Sequence, residues 1–163
     1  FYLSQEVKAS LYMEAHYNSK FEHNQTIEEL AKEVAQMKKM FAKERRIKKE
    51  MPLEFNETLK YHMSRRSVSI INLMKRSHLS DTTIKHYRSG KRTPDMEKLM
   101  AILIGLNLDK QYCYDMIEKA GLHLTDSDLH KLYDRLIQEH MDGDIDQWNM
   151  VLKAGGFEEI PGD

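Results

Sequence analysis

Little in this chain bends or cross-links the backbone. Its 163 residues hold 7 glycines, 3 prolines and one cysteine, Cys113. A lone cysteine excludes an internal disulfide and suits a reducing cytosol. Because Cys113 falls in an apolar helical pattern, it reads as a buried structural thiol rather than a nucleophile. Scarce glycine and proline leave few obligatory breaks, and apolar residues recur at helical spacing almost throughout. The expected fold is all-α. Long apolar runs are missing too. The longest, LMAILIGL at residues 99–106, has the length of a core helix and falls well short of the roughly 20 residues of a membrane span. No signal peptide is expected from the given residues, and a cytoplasmic protein with no membrane partner is expected. The chain opens on Phe1, which leaves room for an upstream domain and for a role as the regulatory tail of a larger enzyme.

Recognisable chemistry is also absent. There is no HExxH pair, glycine-rich phosphate loop, nucleophile elbow or cysteine pair. Among the 8 histidines, His16 and His23, like His130 and His140, are not spaced to share a helical face with a third ligand. The run DGDIDQWNMVLK from Asp142 begins like a calcium loop. Such a loop needs Gly where Gln147 stands and a bidentate Glu where Lys153 stands. Aspartates at a helix N-terminus account for it more simply. No enzyme activity, metal or cofactor is expected.

An overall excess of either charge is lacking, since the net charge is −1. The charges are nevertheless segregated. Residues 1–54 hold 10 Lys and Arg against 9 Asp and Glu, residues 55–108 hold 10 against 4, and residues 109–163 hold 5 against 13. The middle third therefore carries +6 and the last third −8. A local basic excess is what phosphate contacts require.

That basic third contains the most informative pattern. Ser69 and Ser80 each follow a hydrophobic residue and precede a segment of helical length, as N-caps do. In the first segment Ile70, Leu73 and Met74 share an inward face, leaving Asn72, Lys75 and Arg76 outside. In the second, beginning at Asp81, Ile84 and Tyr87 point inward, and Asp81, Thr82, Lys85 and His86 are directed elsewhere. Gly90 stops this helix, Lys91 and Arg92 follow on a basic exit loop, and Thr93 and Pro94 are expected as cap and first residue of the next helix.

The stretches VSIINLMKRSHLS and TTIKHYRSGKRTP resemble the second helix and turn, and the recognition helix and basic exit, of the Cro/C1-type (phage repressor-like) helix-turn-helix regulators. The likeness covers residues 55–121. It implies a five-helix domain that binds double-stranded DNA with its recognition helix in the major groove, in a bacterial or phage transcriptional regulator. On that resemblance Asp81, Thr82, Lys85 and His86 read bases, while Ser69, Ser80, Arg88, Lys91 and Arg92 lie near phosphates. The chain departs from the family's pattern at three places: Met74 stands where Ala is common, His78 where the turn has Gly, and Ile70 where Gln is frequent. A non-glycine residue at positive φ costs about 1 kcal/mol.

The flanks carry organisation rather than chemistry. Ser4 is expected to cap a first helix with Val7, Leu11 and Met13 among its apolar positions. Thr26 caps a longer one, with Glu29 completing a capping box. Ile27, Leu30, Val34, Met37 and Phe41 form a short heptad seam there, a candidate homodimer surface or an intrachain packing face, and the charged tract AKERRIKKEM continues the helix as a solvated link. After the module, a helix ends at Gly121, Thr125 caps an amphipathic helix with Leu129, Leu132, Tyr133, Leu136 and Ile137, and Asp144 or Asp146 opens a last helix around Trp148, Val151 and Leu152, closed by Gly155 and Gly156. Three regions result: an N-terminal helical segment at 1–54, the DNA-binding domain at 55–121, and an acidic helical hairpin at 122–163. The hairpin is expected to face away from DNA and offers a surface to a protein partner. The alternative function is a protein-interaction adaptor that keeps the fold without binding DNA.

Overall fold

Short polar side chains set the helix boundaries. In the computed structural model, which describes residue 8 and residues 26–163, all regular structure among the described residues is α-helical, in eight helices. These are α1 (Ile27–Glu50), α2 (Phe55–Arg65), α3 (Ile70–Ser77), α4 (Asp81–Ser89), α5 (Met96–Leu106), α6 (Lys110–Lys119), α7 (Asp128–Glu139) and α8 (Ile145–Ala154). Ser69 and Ser80 cap α3 and α4 as expected, each hydroxyl accepting an N–H three residues on. Such caps satisfy donors that the helix itself cannot, at about 1 kcal/mol each. Asp144 caps α8 in a complete capping box with Gln147.

Two caps fall elsewhere than the sequence suggested. The helix after the basic loop is capped by Asp95, whose carboxylate accepts from Lys98 N at 2.9 Å, and it starts at Met96 rather than at Pro94. A charged oxygen at the N-terminal end of a helix is favoured by the helix dipole as well as by the hydrogen bond. Likewise Ser127, not Thr125, caps α7; the Thr125 hydroxyl instead meets Ser127 Oγ and the His130 ring.

The chain divides into two compact units, residues 1–50 and 51–163. In the first, the charged tract does continue α1, which runs 24 residues to Glu50. Glu29 N donates to Thr26 Oγ1 at 3.2 Å, one half of the expected capping box. Of the seam residues, Met37 is buried, Leu30, Val34 and Phe41 are half-buried and Ile27 is exposed; Ile47 is buried as well. Of the helix expected from Ser4 only Lys8 is described, and it is helical; Val7, Leu11 and Met13 lie outside the described residues, as do His16 and His23.

The second unit is built around α5. Leu99, Met100, Ala101, Ile102, Leu103 and Leu106 are fully buried, a helix apolar on all sides and therefore surrounded. It packs against α3, α6 and α8, while α2 packs on α4 and α6. Tyr133, Leu136 and Ile137 of α7, Ile145, Trp148 and Leu152 of α8, and Ile160 join the same core as Leu59, Leu73 and Ile84. The acidic segment thus shares its apolar interior with the basic one. Fully burying one such side chain contributes about 1.5–3 kcal/mol. Cys113 is buried as expected, its thiol near Leu108 O at 3.5 Å, and burial raises its pKa. No helix among the described residues is long and apolar enough to cross a membrane.

Candidate nucleic-acid interface

Three residues, His78, Leu79 and Ser80, link α3 to α4. Their path is over-determined. His78 takes the left-handed conformation, φ 60° and ψ 19°, and its N–H donates to Met74 O at 2.9 Å. The buried Ser77 hydroxyl donates back to Leu73 O at 2.6 Å and accepts from Leu79 N at 3.2 Å, and Leu79 is itself buried. His78 thus makes the turn in a backbone conformation that glycine adopts most readily.

The crossing of α3 over α5 is equally close, and its key residue gave no sign in the sequence. A Cβ on Gly105 would stand 2.8 Å from Leu73 Cδ1 and 3.4 Å from Ser77 Cβ. Glycine lets α3 approach α5 there, while Met74 is half-buried at the margin of the core.

On α4, Ile84 and Tyr87 are buried and Thr82 and Lys85 exposed, so the inward and outward faces are those read from the spacing. Lys85 Nζ lies 2.8 Å from Asp81 Oδ2. Two of the residues suggested as base contacts therefore engage each other. An exposed i,i+4 pair contributes only about 0.3–0.5 kcal/mol, so a better partner displaces it readily. His86 is half-exposed, with Nδ1 shielded from solvent and without a hydrogen-bond partner. Desolvation, then the Lys91 and Arg92 charges, lower its pKa.

The exit loop folds back onto the end of α4. Ser89 Oγ and Arg92 N both donate to His86 O, at 3.2 and 3.3 Å. Gly90 has φ 81°, and a Cβ there would come within 3.3 Å of the Asn56 amide, so both conformation and room call for glycine. Thr82, Lys85, His86, Lys91 and Arg92 consequently occupy one continuous stretch of helix face and loop. The remaining suggested phosphate contacts are differently placed. Ser69 and Ser80 spend their hydroxyls on caps, and Arg88 is half-buried, with Nε shielded and lacking a partner.

Comparison with family models, curated proteins and solved structures finds no match. What the chain does must be inferred from its own geometry. Among the described residues, no cluster of three or more His, Cys, Asp or Glu could hold a metal ion.

One element lies where the sequence did not put it. The acidic segment does not simply turn away from the basic module: Asp146 of α8 stands 3.8 Å from the His78 ring, and Asp163 reaches the start of α4, its Oδ2 accepting from Ser80 N at 2.9 Å and its Oδ1 meeting Lys98 Nζ at 3.1 Å. The Ser80–Asp163 contact links positions 83 apart in the chain, a separation at which periodicity and spacing carry no information.

Proposed function

We propose that the protein is a sequence-specific double-stranded DNA-binding regulator, with α2 to α6 forming a five-helix repressor-like domain and α4 entering the major groove. The observation that carries this reading is the placement of Thr82, Lys85 and His86 on α4 beyond a capped three-residue turn, with the exposed Lys91–Arg92 loop bonded back onto His86 O, within the one strongly basic third of the chain. Its parts match the chemistry. A threonine can bond a base edge or touch a thymine methyl, lysine and a donor imidazole suit guanine, and backbone phosphates are neutralised by Lys and Arg. The lowered pKa of His86 favours a neutral ring, and the shielded Nδ1 leaves Nε2 as the edge available to a base.

One recognition helix reads only a few base pairs. Useful specificity calls for two half-sites about one helical turn apart, so the regulator is proposed to act as a homodimer, with the α1 seam of Ile27, Leu30, Val34, Met37 and Phe41 as its candidate surface. A second reading, the protein-interaction adaptor, draws on one observation: the start of α4 already holds a carboxylate, Asp163.

Selection of bound duplexes from random DNA separates the two. An enriched motif, with half-sites spaced by about one turn, is the result expected of the regulator. If nothing is enriched even at low salt, the adaptor reading stands instead.

A further inference from the structure

Residues 160–163 run from α8 across the α3–α4 turn to the start of α4. Ile160 is buried, and its N–H donates to Oδ1 of Asn149 on α8 at 2.7 Å, which anchors the segment. Gly162 lies flush on the turn: a Cβ there would come 2.9 Å from His78 O and 3.1 Å from His78 Cβ. Asp163 N donates to His78 O at 3.0 Å. Its carboxylate then takes the Ser80 N–H at 2.9 Å and the Lys98 ammonium at 3.1 Å, with the Thr83 hydroxyl also bonded to it.

The chemistry explains why an anion sits there. The N-terminus of a helix carries partial positive charge and unsatisfied N–H groups. In a capping box the third helical residue is Glu or Gln and reaches back to the N-cap N–H. The third residue of α4 is Thr83, whose side chain is too short, and Asp163 supplies the missing acceptor from a distant part of the chain. The contact is therefore built rather than incidental, and it is made at the end of the helix that leads into a major groove.

We propose that residues 160–163 form an autoinhibitory strap, in which Asp163 occupies Lys98 and the Ser80 N–H and holds a carboxylate within one turn of Thr82, so that the phosphates of a duplex must displace it. The inference rests on the DNA-binding reading above. With the strap docked, the leading end of α4 presents the Asp81 and Asp163 carboxylates and one neutralised lysine. With it released, Lys98 and the Ser80 N–H become free to meet a backbone phosphate.

The test uses the full chain with Asp163→Ala, and with Asp163→Asn, which keeps an acceptor for Ser80 but removes the charge. Affinity for the selected duplex is measured against salt concentration. Asp163→Ala is expected to bind about tenfold tighter, with a salt slope steeper by about 0.9, the worth of one added phosphate contact. Lys98→Ala in the same background should abolish the steeper slope. Unchanged or weaker binding by both Asp163 variants would overturn the strap. Hydrogen exchange of the Ser80 amide reports docking without any DNA. It should be slow in the wild type and faster in Asp163→Ala; a Ser80 amide that exchanges equally fast in both would overturn the strap while leaving DNA binding intact. If no duplex binds any of these proteins although the Ser80 amide is protected, the DNA-binding reading has failed, and the inhibitory role fails with it.

Discussion

Gly105→Ala adds one methyl group where α3 crosses α5, and the structure allows its cost to be worked out. The new Cβ would lie 2.8 Å from Leu73 Cδ1, 3.4 Å from Ser77 Cβ and 3.5 Å from Arg76 Cβ. Carbon atoms prefer about 3.5–4.0 Å, so the Leu73 contact is short by at least about 0.7 Å. Leu73 is fully buried, so its Cδ1 can give way only by displacing packed neighbours. Either its side chain leaves its rotamer or α3 shifts. Overpacking of this kind costs about 1–3 kcal/mol, while replacing helical Gly by Ala returns about 1 kcal/mol in propensity. The net expectation is a loss of about 1 kcal/mol, read as a lower midpoint in urea unfolding. Because α3 carries the turn that sets α4, DNA affinity should fall as well. Leu73→Ala alone should cost about 2–5 kcal/mol, and the double variant should be less destabilised than the sum, since the added methyl fills part of the cavity. A Gly105→Ala protein as stable as the wild type, with additive behaviour in the double variant, would refute the close-crossing account.

His62 supplies a pH prediction. It is fully buried, edge-on to Tyr61 and Tyr112, with Nδ1 3.4 Å from Arg65 and Nε2 unpartnered. Desolvation first, then the nearby Arg65, lowers its pKa to about 4. The unfolded chain takes up this proton near 6.5 and the folded one only near 4, so stability should be full above the higher value and fall as pH drops through that window. The loss approaches about 3 kcal/mol at 1.4 kcal/mol per unit; His62→Phe should remove this component, and an equal slope in both proteins would contradict it. His78→Gly relieves the left-handed backbone and should raise stability by up to about 1 kcal/mol, because the exposed Asp146 pair it gives up is worth little; a lower urea midpoint would count against this. Lys91→Ala should weaken binding to all duplexes alike and reduce the salt slope by about 0.9, whereas a loss confined to one sequence would mean that Lys91 reads bases.

The helices were legible wherever a local signal existed. Ser69, Ser80 and Asp144 cap as their spacing suggests, and Ile84 and Tyr87 face inward because they lie one helical turn apart. Position 78 was legible as a positive-φ site through the family resemblance. Caps at 95 and 127 were misassigned because Thr and Ser or Asp stand within two residues of each other, and local pattern does not decide which oxygen wins. What could not be read was set by long-range geometry: the space under Gly105, the placement of acidic α7 and α8 on the core of α5, and Asp163 on the Ser80 N–H.

The most direct measurement is equilibrium binding of the wild type, Thr82→Ala and His86→Ala to the selected duplex and to copies carrying single base-pair changes. Direct readout from α4 predicts that the wild type loses about 1–3 kcal/mol per mismatch and that each variant stops discriminating at its own position while still sensing the others. Equal affinity of the wild type for the selected and altered duplexes, or discrimination unchanged in both variants, would contradict the proposal that this helix reads DNA.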